Sequence, residues 1–133
     1  MTPAEAAALL GVAAAFDNRK PDADAAQAWA LALSGLRFED CRDAIVAHYR
    51  ASSEWLMPSA VIAAVKRVRA KRIADVGDLC PPPGLTEPEE RAWLREARRR
   101  IGDGEPVRVD FGELKPRHLP DLRELLPRVE EDA

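Results

Sequence analysis

At 133 residues, 47% hydrophobic and 32% charged, the chain has the size of one small domain with appendages. Much of the apolar content is alanine, and only three Phe, three Trp and one Tyr supply bulk, so a thin helix-on-helix core is predicted. No run approaches the ~18–20 apolar residues of a membrane span. The opening MTPAEAAALLGVAAAF carries Glu5 and no basic start, unlike a signal peptide, and a net charge of −3 disfavours indiscriminate coating of nucleic acid.

The charge is unevenly spread. Residues 1–57 hold eight acids and five bases, residues 58–77 five bases and one acid, and residues 78–133 fourteen acids and ten bases. The one strongly basic block therefore follows Pro58. Cys41 and Cys80 make neither a disulfide framework nor a metal set and read as reduced thiols of a cytoplasmic protein.

Thr2-Pro3-Ala4-Glu5 predicts a helix start, with Thr2 as N-cap, Pro3 in the first turn and Glu5 closing a capping box. Leu9, Val12, Ala13 and Phe16 share one face, and Asp17-Asn18-Arg19-Lys20-Pro21 ends the helix. A second helix starts at Asp22 or Asp24, carries Ala25, Ala26, Trp29, Leu33 and Leu36 on one side, and exits through Ser34-Gly35. Trp29 reads as a core anchor. In the third helix Phe38, Cys41, Ile45, His48 and Tyr49 form the stripe, with Glu39, Asp40 and Asp43 outside it as a solvated first turn that complements the helix dipole. His48 has no metal-ligand spacing around it and reads as a packed, hydrogen-bonded histidine.

Trp55-Leu56-Met57-Pro58 turns the chain into a fourth helix, on which Val61, Ile62, Val65 and Val68 supply an apolar face. Arg69 and Arg72 fall where continued packing would require apolar side chains. The second half of this helix, with Lys66, Arg67, Arg69, Lys71 and Arg72, is therefore expected to project into solvent until Gly77 stops it. Pro81-Pro82-Pro83-Gly84 marks a linker over residues 78–85. Thr86-Glu87-Pro88-Glu89 opens another helix to about Ile101, with Trp93, Leu94, Ala97 and Ile101 as a narrow stripe that needs a docking surface. From residue 103 on, prolines leave little room for regular structure. Val107–Phe111 alternates like a lone strand, and the three leucines of Leu122-Arg123-Glu124-Leu125-Leu126 share one side as a short docking motif or a loosely packed turn.

These elements give an all-α fold class: a four-helix domain over residues 1–77, the 78–85 linker, a helix over 86–102 and a largely irregular tail over 103–133. No catalytic, cofactor or metal constellation is present in the sequence. There is no phosphate-binding glycine loop, no Gly-x-Ser-x-Gly elbow and no His-Glu-x-x-His, so the reading is not an enzyme and implies no cofactor. Lys66, Arg67, Arg69, Lys71 and Arg72 are the candidate nucleic-acid or partner contacts. Trp55, Met57, Pro58, Leu122, Leu125 and Leu126 are the candidate partner contacts.

Trp29 with Leu33, then Phe38-Glu39-Asp40, Ala44, His48-Tyr49, Ser53, Trp55, Pro58 and Ile62, over about residues 4–75, resembles the N-terminal domain of the phage replicative-helicase loader/inhibitor family. The turn keeps one proline where that family has a tighter Trp-Pro-Pro-like turn, and Phe16 stands where a Tyr is common. The resemblance implies a helical adaptor of phage or prophage DNA replication in the host cytoplasm. Its partners would be a hexameric replicative helicase, a replication initiator protein, or both, with no membrane association. The alternative is a small nucleic-acid-binding regulator using the basic helix 66–72.

Overall fold

Thr2 starts α1 (Pro3–Asp17) as an N-cap: its hydroxyl accepts from the Glu5 N–H while the Glu5 carboxylate accepts from the Thr2 N–H at 2.8 Å. The same local logic sets the other boundaries in the computed structural model, which describes residues 1–105. The Asp22 side chain caps α2 (Ala23–Ala32), accepting from Ala25 N–H at 2.8 Å. Gly35, at φ 79°, supplies the left-handed turn into α3 (Phe38–Ala51). Pro58 sits in the first turn of α4 (Pro58–Val76), and Gly77, also at φ 79°, ends it. A Thr86–Glu89 capping box opens α5 (Glu87–Gly102).

The described residues are all-helical. Helix α1 packs on α2 and α3, α3 packs on α4, and α4 packs on α5. The core is built from Leu9 and Leu10 of α1, Leu33 after α2, Ile45 of α3, Leu56 of the α3–α4 turn, and Val61 and Val65 of α4, all fully buried. Trp29, 8% exposed, belongs to the core as predicted. Ala6, Ala13, Ala26, Ala30 and Ala44 are buried too, and their small volume lets the helix backbones approach. Helix α5 lies outside this core. It buries Ala97 and Ile101 against α4, with Trp93 and Leu94 half-buried.

Four expectations change, the first being Val68, which is expected on the apolar face of α4 but is 44% exposed. The second half of α4 does not simply project into solvent, because α5 lies along it, and Arg69 and Arg72 are half-buried. These two continue the inward face of Val61 and Val65, and arginine is tolerated there because carboxylates face it. Arg72 makes a two-pronged pair with Asp40 at 2.7 and 2.9 Å, and Arg69 pairs with Asp103. Asp40 is accordingly not on the solvated side of α3 but 7% exposed, while Glu39 and Asp43 are exposed as predicted. Phe16, placed on the apolar face of α1, is 52% exposed and covers Tyr49 instead of entering the core. The strand-like 107–111 and the candidate contacts Leu122, Leu125 and Leu126 lie outside the described residues.

Candidate partner-binding corner

Two connections meet at one end of the bundle. The first follows α1, where Asn18 takes the left-handed conformation (φ 56°) and its N–H closes on the Ala14 carbonyl at 3.0 Å. This reversal places Asp17 and Arg19 side by side, pointing inward. The second is the turn Ser52–Met57 between α3 and α4. Arg19 joins the two connections.

The Arg19 and Asp17 side chains are 8% and 9% exposed. The Arg19 guanidinium donates to both Asp17 oxygens, to Tyr49 Oη at 3.3 Å and to the Leu56 carbonyl at 3.0 Å. Tyr49 Oη in turn donates to Asp17 and accepts from Leu56 N–H at 3.3 Å. The cation also lies over two indoles, 4.3 Å from the Trp55 ring centroid and 5.5 Å from that of Trp29. The hydrogen bond from Arg19 holds the Asp17 carboxyl down at about 2 against the opposing effect of burial, and Tyr49 is pushed up by its burial and by its bond to Asp17.

This network fixes the candidate corner. Leu56 is buried, whereas Trp55 and Met57 remain 57% and 54% exposed. Pro58 begins α4 beside them. Phe16 stacks on Tyr49 with ring centroids 5.2 Å apart, so a second exposed aromatic ring stands opposite Trp55. Between them lies an open groove of about 720 Å³, with Asn18, Arg50 and Ser52 among its polar lining. His48 lies behind it: Nε2–H donates to the Glu54 carbonyl at 2.7 Å and the ring meets Tyr49 edge-on, a packed histidine as predicted. No group of His, Cys, Asp and Glu among the described residues is placed to hold a metal ion.

The basic candidates divide. Lys66 and Arg67 are exposed, Lys71 pairs with Asp75 on the surface at 2.7 Å, and Arg69 and Arg72 are engaged by Asp103 and Asp40. They do not form one continuous open patch. Sequence reasoning missed Asp17 and Arg19, which lie in a polar run that reads as loop. The available signal was Tyr49, whose hydroxyl on an otherwise apolar stripe requires a polar partner.

Comparison with known protein families, curated proteins and solved structures finds no significant match to the chain. Among the described residues, no helix is long and apolar enough to cross a membrane.

Proposed function

We propose that this protein is a non-enzymatic helical adaptor of phage or prophage DNA replication that binds a hexameric replicative helicase or its initiator and loads or inhibits the helicase. The observation that carries the reading is the corner itself. Trp55 and Met57 stay exposed while Arg19, Tyr49 and the buried Leu56 hold their backbone in place, so the aromatic ring is presented with little conformational freedom left to lose on binding. Exposed tryptophans in pre-organised surroundings are the side chains that anchor protein interfaces. The resemblance of residues 4–75 to the loader/inhibitor family supplies the partner class.

In this reading residues 1–77 are the adaptor domain, residues 78–85 the linker and residues 86–102 an added helix. Leu122, Leu125 and Leu126 offer a second contact from the tail, and the protein works in the host cytoplasm. The nucleic-acid alternative loses ground, because three of its five cations are held by carboxylates of the same chain.

The test is affinity capture from host lysate with the full chain and with Trp55→Ala/Met57→Ala. Both side chains are more than half exposed, so the variant should keep its helix content. Recovery of the helicase or initiator by the native chain and its loss with the variant supports the reading. Recovery of neither by the native chain overturns it.

A further inference from the structure

The attachment of α5 has an unusual balance of forces. Of its 16 residues, Ala97, Ile101 and Gly102 are buried, and the first two are its only buried apolar side chains. Its last turn, by contrast, is gripped by three guanidinium groups from the rest of the chain. Arg72 donates to the Gly102 carbonyl at 2.8 Å, Arg37 donates to the Asp103 carbonyl, and Arg69 pairs with the Asp103 carboxylate. Arg99 of α5 itself holds the other Asp103 oxygen at 2.9 Å. The arginine side chains approach closely at two glycines. A Cβ at Gly102 would lie 3.0 Å from Arg69 Nη2, and one at Gly104 would lie 3.2 Å from Arg37 Nη1. Cations at a helix C-terminus also meet the negative end of its dipole. The ten-residue connection from Gly77 to Thr86 carries Pro81, Pro82 and Pro83, a spacer that leaves α5 free to move as a unit once its end is released.

We infer that α5 is a releasable strap, latched at Asp103, which keeps the guanidinium groups of Arg37 and Arg69 from the phosphate backbone of a nucleic acid. The ligand class follows from charge. The Asp103 carboxylate and the two carbonyls at the end of α5 occupy an anion site in cis. Release frees the guanidinium of Arg37, whose side chain is already 41% exposed, and bares Arg69, one helical turn from the exposed Lys66 in the one block of the chain with five bases and a single acid. Arg72 stays neutralised by Asp40, and Glu39 lies 3.7 Å from Arg37, so the bared set suits a ligand with several phosphates better than a lone anion. This goes beyond the adaptor reading and does not depend on it.

The test uses the full chain and Asp103→Asn, with Asp75→Asn as a control that removes the same charge from a surface pair without touching the latch. A fluorescein-labelled oligodeoxynucleotide at low salt reports binding, and amide hydrogen exchange over residues 87–102 reports release. A closed strap lowers apparent affinity by the fraction of molecules that are open, so Asp103→Asn should bind about tenfold tighter than the native chain. It should also lose protection in α5 while the core stays protected. Adding Arg37→Ala/Arg69→Ala to Asp103→Asn should abolish the gain. An equal gain in Asp75→Asn, a gain that survives loss of both arginines, or faster exchange of α5 without tighter binding would each overturn the inference.

Discussion

Replacing Arg19 by methionine should be among the most damaging single changes in the protein, although Arg19 sits in a connection between helices. The substitution keeps much of the side-chain volume but leaves Asp17, 9% exposed, facing Tyr49 without its counter-charge. Breaking a buried ion pair from one side costs about 3–5 kcal/mol, and the position of this pair near the surface puts the cost at the lower end, about 3 kcal/mol. That includes the freed Leu56 carbonyl and the lost cation–π contacts with Trp55 and Trp29. Against a domain stability of about 5–15 kcal/mol this is a large fraction, and it should lower Tm by about 12–20 °C. Urea denaturation followed by far-UV circular dichroism measures it. The double variant Asp17→Asn/Arg19→Met should lose less than the sum of the single variants by about 1–3 kcal/mol, since the stranded charge is gone. A cost of Arg19→Met below about 1 kcal/mol, or strict additivity in the cycle, would refute the account of this network.

Two further outcomes follow from the same structure. Asp17 is depressed in the fold from its ordinary 3.8 to about 2, chiefly by the hydrogen bond from Arg19. Its contribution, about 2 kcal/mol, is therefore complete above about pH 4 and is lost as the pH falls toward 2. Acid titration of stability should show this loss, and Asp17→Asn should flatten the profile over that range. Cys41 is fully buried and its thiol is pushed up to about 11 by burial, whereas Cys80 is exposed. A thiol reagent at about pH 8 should modify one cysteine in the native protein and two after denaturation. Two equally fast native reactions would contradict the packing of α3.

What was legible in the sequence is what short-range chemistry sets. Thr2–Glu5, Asp22, Pro58, Gly77 and Thr86–Glu89 act within three or four residues of themselves, and each boundary they predict is present. Trp29 and His48 also behave as read. What was not legible depends on partners far along the chain. Asp17 and Arg19 read as loop polarity because their value lies in Tyr49 and Leu56, 30 or more residues away. Asp40 sits at the edge of the α3 stripe, where helical spacing alone allows either side, and only Arg72 on another helix decides it. The apparent failure of the α4 apolar face at Arg69 and Arg72 was a change of partner, from apolar neighbours to carboxylates. Nothing local to α4 announces Asp103.

The three tryptophans occupy three different parts of the molecule: Trp29 in the core, Trp55 on the exposed corner and Trp93 in α5. The chain thus carries its own set of optical reporters. Single-tryptophan variants would give spectra that separate melting of the core, occupation of the corner and movement of α5, with no dye attached. Arg19 lies against the two indoles at the bundle end, so a ligand that shifts its guanidinium would change the emission of Trp55 and Trp29 together. Movement of the last helix alone would register in Trp93.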